Sequence, residues 1–313
     1  MRHSAFAVDH RTWGEVLVLR ENILDNVDSH PGWHGFLRML HQQLDVDAEG
    51  LVVASFVITF FAFACVGLFA SGAPLAWMVT LLVVYLVDGG VLMRVLLGRP
   101  FAISMAAALA IVFLWQRTPR LPKITEYAVT SLLLALAIYI HPSWYLWLIF
   151  PPAFVLCGRW EDAFRFGTCL LIALVVATGF AQSYYNIVFY PIHHLLISIT
   201  QDPLRGVHLV GEFQPGSGSL IVVMTVVATL AILSLRGRNW RSLVVRLDFC
   251  VMILGWVAGL YVMRFWSDWG SIGFIAWICF VLSSLEFKPS PLIRDKVIVS
   301  GSGPRVTVFA YWL

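Results

Sequence analysis

A chain of 313 residues with 59% apolar side chains and 12% charged ones falls outside the ordinary soluble class, in which about 45–50% are apolar and about 25% charged. The mean hydropathy of +0.82 points the same way. A net charge of +3 without a basic tract among exposed aromatics leaves no footprint for a nucleic-acid partner. Cys65, Cys157, Cys169, Cys250 and Cys279 lie in or beside apolar segments without metal-ligand or C-x-x-C spacing, and read as buried free thiols.

In chain order, residues 1–50 form the one sizeable polar stretch, with no apolar core of signal-peptide length. Apolar positions recur there at helical spacing: Trp13, Val16, Leu17 and Leu19, then Leu37 and Leu40 after a break at His30-Pro31-Gly32. The pattern predicts two amphipathic helices at a membrane surface, with Trp13, Trp33 and Phe36 at headgroup level. From Leu51 to Trp77 no side chain ionises apart from Cys65, a run long enough to cross a hydrocarbon core of about 30 Å.

Nine crossings are expected, at about 51–70, 75–97, 101–115, 127–140, 144–157, 167–189, 219–235, 248–266 and 271–286. Several fall below the usual lower limit of about 17 residues. The stretch 127–157 allows one long kinked helix, a re-entrant pair, or two short spans meeting at His141-Pro142-Ser143-Trp144. Two spans are favoured because Pro142 removes a backbone donor. They also put the basic loops 116–126, 158–166 and 236–247 on one side with the tail bearing Lys288, Arg294 and Lys296, which the positive-inside rule makes cytoplasmic.

The expected fold is thus an all-α polytopic membrane bundle in three parts. Residues 1–50 form an extracytoplasmic loop with amphipathic helices, 51–286 the transmembrane bundle, and 287–313 a cytoplasmic tail or truncated continuation. A chain that begins outside with neither signal peptide nor preceding helix leads to the expectation that a first transmembrane helix is missing from this sequence.

The outward-facing polar residues are the candidates for chemistry. Asp9, His10, Glu15, Glu21, Asp25, Asp28, His30, His34 and His41 crowd the first segment. A carboxylate held above the bilayer there suits a general base, although a solvated loop is ordinarily rich in such residues. Asp88 lies inside a span, where an ionisable group is a functional candidate, yet the favoured reading of Asp88-Gly89-Gly90 is a helix break near the outer interface with Arg94 and Arg99 nearby. Arg264 and Asp268 flank an aromatic pair, as anchors do, while an outward arginine is also what a phosphate-bearing donor needs. His193-His194, His208 and Glu212 lack the i, i+4 spacing of helical metal pairs; a divalent metal is allowed but not indicated, and no other cofactor is expected. Nucleotide and serine-hydrolase motifs are absent.

Three local patterns, in order, resemble the superfamily of polytopic glycosyltransferases of the C-type fold, which use lipid-phosphate sugars and include protein O-mannosyltransferases and aminoarabinose transferases. The first is Asp9-His10-Arg11-Thr12-Trp13 followed by His30-Pro31-Gly32-Trp33-His34-Gly35-Phe36-Leu37, similar to the family's acid after its first helix and the His-Pro stretch beyond. The second is Arg99-Pro100-Phe101-Ala102, similar to an Arg-Pro-Tyr-Ala step. The third is the run from Ala135 to Pro142, similar to the paired short helices in midchain. The likeness covers about residues 5–170. His10 stands where the family more often has a second acid, Gly32 where it often has a second proline, and no long soluble C-terminal domain follows.

The resemblance implies an inner-membrane enzyme that transfers a sugar from a polyprenyl-phosphate donor to an acceptor at the extracytoplasmic face, with the bilayer as its partner. Asp9 would be the general base. Arg99 or Arg264 would neutralise the leaving phosphate, and His10, His30 and His34 would shape the substrate side. A transporter or flippase, or a non-catalytic subunit of a membrane complex, is the alternative expectation from the broken apolar segments.

Overall fold

The computed structural model describes residues 8, 28, 30–117, 120–192, 196, 216 and 218–285. The first amphipathic helix expected before His30, Asp9 and His10, the histidines 193, 194 and 208, Glu212 and the tail 287–313 lie outside the described residues. No strand occurs among those described. Helix α1 (Pro31–Leu44) starts on a proline, which suits a first turn because its missing N–H has no intrahelical partner anyway. Asp47 caps α2 (Ala48–Ala70) by accepting from the Gly50 N–H at 2.7 Å. Then come α3 (Pro74–Val87), α4 (Gly89–Leu96), α5 (Phe101–Gln116) and α6 (Lys123–Ile140). A 3-10 turn over Trp144–Ile149 leads into α7 (Phe150–Leu156), followed by α8 (Trp160–Ala181), α9 (Leu220–Leu235), α10 (Trp240–Val244) and α11 (Leu247–Gly259). A π-turn over Trp266–Gly270 joins α12 (Met263–Phe265) to α13 (Ser271–Leu285).

Among the described residues, four helical stretches are long and apolar enough to cross a membrane: α2, α6, α8 and Met263–Leu285. The apolar helices Pro74–Val87, Phe101–Gln116, Trp144–Leu156, Leu220–Leu235 and Leu247–Gly259 are shorter. Several bounds differ from the sequence expectation. The segment 75–97 is not one helix: the Asp88 carboxylate accepts the Gly90 N–H at 3.1 Å, so the chain stops and restarts there. The segment 167–189 begins earlier, at Trp160, because Asp162 in its first turn is neutralised by arginines, and it ends at Ala181. The segment 248–266 ends at Gly259, before the break at Val262.

Helices α5 and α13 form the centre. Helix α5 is buried from Phe101 to Trp115 on nearly every side, and Ala102, Ala106, Ala107 and Ala108 let α2, α6 and α13 approach closely. Helix α11 crosses α13 at Gly273, where a Cβ would lie 2.5 Å from the Asp248 carbonyl oxygen and would strike the Met252 backbone. Backbone cannot rotate away as a side chain can, so Gly273→Leu should cost about 3 kcal/mol or more, at the upper end for overpacking. Chemical unfolding in detergent measures it; an unchanged midpoint would mean that α11 and α13 do not cross here. A similar approach explains the glycine at position 32: a Cβ there would lie 2.7 Å from the Tyr139 carbonyl oxygen of α6, so a proline would not fit.

The outer surface is apolar as well. Leu75, Leu82 and Leu86 on α3, Leu171, Val175 and Phe180 on α8, and Leu220, Val227 and Leu235 on α9 are exposed, a distribution water would not tolerate over such an area. Hydroxyls inside the apolar helices are satisfied locally: Ser55, Thr59 and Thr80 donate to carbonyls one turn back, as a solvent without hydrogen bonds requires. Apolar helices of spanning length with lipid-like outer faces are the mark of a membrane protein.

Polar groups gather at the two ends of the bundle. Phe101, which opens α5, and His141, which follows α6, meet at one end. Gln116, which closes α5, binds Arg246, and Glu126, near the start of α6, binds Arg120 at the other. At about 1.5 Å per residue, the 16 residues of α5 and the 18 of α6 separate these layers by roughly 25 Å. After His141 the chain returns through Trp144–Leu156 to Arg159, which donates to the Trp115 carbonyl at 3.0 Å in the second layer. This excludes the continuous kinked helix.

Candidate functional site

The layer at the His141 end assembles groups from four parts of the chain. Pro142 disfavours helix at the residue before it, so α6 stops and His141 takes an extended conformation (φ −141°). Its imidazole is thereby turned into the bundle end, where it is buried. The Arg264 Nη2 lies 3.0 Å from His141 Nε2. A guanidinium can only donate, so Nε2 accepts, and the ring is neutral with its proton on Nδ1.

Arg264 and Asp268 stand one turn apart, and the Arg264 Nε donates to Asp268 Oδ2 at 2.7 Å. The Asp268 side chain is fully buried and that of Arg264 is 13% exposed. Ser267 Oγ donates to the other carboxylate oxygen at 3.2 Å. The Phe101 ring completes this wall: its centroid is 5.3 Å from that of His141 and 5.7 Å from the Arg264 Cζ, within cation–π range.

The start of α1 supplies the opposite wall. The Asp28 carboxylate accepts from the His30 backbone N–H at 2.9 Å and from His34 Nδ1 at 2.6 Å. It therefore acts where the helix N-terminus leaves amides without helical partners, and it fixes the His34 tautomer with a proton on Nδ1. His34 is fully buried. The His30 ring bridges the two walls, with centroids 5.8 Å from His34 and 5.0 Å from His141. A carboxylate-oriented histidine, an arginine and an aromatic face at one bundle end can bind a polar, anionic or hydroxyl-bearing group.

Of the residues singled out from sequence, His30, His34 and Arg264 come together here. Arg99 is exposed beside Pro100, two residues from the Phe101 ring that touches both His141 and Arg264. Asp9 and His10 lie outside the described residues. Asp88 caps the Gly90 amide. From the sequence Asp268 reads as an anchor and His141 as a turn; their partnership through Arg264, 123 residues from His141, has no local signature. Among the described residues no group of three His, Cys, Asp or Glu side chains converges as metal ligands, and none of the five cysteines is in a disulfide. No family model, curated protein or solved structure matches this chain.

Proposed function

We propose that the protein is a multi-pass inner-membrane glycosyltransferase that moves a sugar from a polyprenyl-phosphate donor to an acceptor at the extracytoplasmic face. The observation that carries this reading is the gathering of His30, His34 and Arg264, distant in sequence, with His141 and Phe101 at one bundle end. In this reading the nine apolar segments are crossings, and the face of His141 is external. The arginine-rich loops joined by the Arg120–Asp162 and Arg246–Gln116 hydrogen bonds are internal, as basic loops prefer.

The acceptor oxygen or nitrogen forms a bond to the anomeric carbon as the bond from that carbon to the phosphate oxygen breaks. The electron pair leaves with the polyprenyl phosphate, and Asp9 takes the acceptor proton. Arg264, oriented by Asp268 and His141, stabilises the charge that develops on the leaving phosphate, with Arg99 on its approach. His10, His30 and His34 bind on the acceptor side, with His34 held by Asp28.

The test is sugar transfer by the full chain in membranes supplied with a polyprenyl-phosphate sugar. Asp9→Asn should reduce transfer by about 100-fold or more, in the range of general-base contributions; full activity in that variant removes Asp9 from the mechanism. A transporter is the second reading, favoured by the discontinuity at Asp88 between α3 and α4, since broken helices mark transport sites. Counterflow of a labelled lipid-linked sugar without any covalent transfer would decide for it.

A further inference from the structure

The opposite layer holds a cavity of about 300 Å³ lined by Trp115, Gln116, Arg117, Arg120, Arg159 and Arg246, with Val245 and Leu247. That volume accommodates roughly ten waters at about 30 Å³ each, the low end of the small-ligand range. Among the described residues, four guanidinium groups and no carboxylate line it. The acids of this layer stand behind the arginines and orient them. Asp162 receives Arg120 at 3.1 Å and Arg159 at 2.7 Å, Glu126 receives Arg120 at 2.7 Å, and Asp248 receives Arg246 at 2.8 Å. Those three acids leave the four arginines with a surplus positive charge on the cavity side. Arg246 is fixed further by the Phe280 ring, 3.4 Å from its Cζ, and by Gln116 Oε1 at 2.8 Å.

Gln116 adds a second, independent sign. Its oxygen is taken by Arg246, while its amide nitrogen Nε2 is buried without an acceptor. A buried donor left unsatisfied costs about 1–3 kcal/mol as an isolated group, and the one side-chain acceptor among the described lining residues, Gln116 Oε1, is already engaged by Arg246. We propose that this cavity binds a phosphate-bearing anion, the headgroup of an anionic lipid or a free phosphate compound. The exposed tryptophans beside its arginine-bearing loops, Trp160 and Trp240, suit the headgroup level of a bilayer. The site lies roughly 25 Å, the length of α5, from the His141 layer. It rests on the membrane reading and not on the transferase reading.

The experiment compares the full chain in detergent with sodium pyrophosphate, against sodium chloride at equal ionic strength, and in nanodiscs of phosphatidylcholine with or without phosphatidylglycerol. Saturating anion should raise the melting temperature by about 5 °C. Two variants read the site: Arg117→Gln, an exposed residue outside the ion pairs described, and Gln116→Glu, which keeps the acceptor for Arg246 but places negative charge at the cavity. Without ligand, Arg117→Gln should melt as the native chain does and Gln116→Glu at the same temperature or higher, because it removes the unsatisfied donor; both should lose the anion shift. A shift from pyrophosphate that both variants lose supports a free phosphate ligand; a shift from phosphatidylglycerol alone, lost likewise, supports a headgroup. No shift with either, or an equal shift with chloride or in Arg117→Gln, overturns the proposal.

Discussion

Replacing Asp268 by alanine is expected to lower the stability of the protein by about 3–5 kcal/mol, the usual cost of stripping one partner from a buried ion pair. The carboxylate is fully buried, and Arg264, its partner at 2.7 Å, is 13% exposed. Water therefore compensates the orphaned guanidinium poorly. The loss also removes the acceptor for Ser267 Oγ within the π-turn that joins α12 to α13. The double variant Arg264→Met with Asp268→Leu should recover most of this loss, since it removes both charges together. Unfolding midpoints in detergent for the single and double variants test the point. An alanine variant at the native midpoint would show that the pair is solvated and contributes no more than a surface salt bridge.

On the proposed transferase reading, Arg264→Lys should lower sugar transfer by about 100-fold or more, while the chain stays folded. Lysine keeps the charge, and an ammonium can still answer Asp268. It cannot hold Asp268 and His141 at the fixed angles of the guanidinium fork and also address a phosphate. In the native chain the two neighbours lie 2.7 and 3.0 Å from Nε and Nη2, so their geometry is set by the planar group. The expected signature is a fall in kcat with little change in KM for the acceptor, because the charge on the leaving phosphate develops in the transition state. Native turnover in Arg264→Lys would remove this residue from the donor side and leave Arg99 as the candidate cation.

Much of the architecture was legible because hydropathy and helix breaking are local. The run from Leu51 to Trp77 without a charge corresponds to α2, the turn at Ser71–Ala73 and the start of α3. Pro142 ends α6 at Ile140, as a proline dictates for the residue ahead of it. The clustering of basic residues in the loops 116–126, 158–166 and 236–247 was readable as a charge count, and hydrogen bonds from Arg120 to Asp162 and from Arg246 to Gln116 join these loops at one bundle end. Helix bounds were less legible where a charge lies inside the helix: Glu126 and Asp162 read as loop residues until their arginine partners are known.

By itself, then, the sequence determined an apolar helical chain that turns at His141, since each helix, turn and apolar stretch depends on neighbours a few residues apart. Tertiary structure decided which polar groups work together. The neutral tautomer of His141 follows from Arg264, 123 positions away, and the cavity of four arginines draws on three separate loops. Such groups find each other only when helices of similar length pack antiparallel and bring their ends into common layers. No spacing rule along the chain encodes that register, because it is set by contacts such as Gly32 on Tyr139 and Gly273 on the backbone of α11.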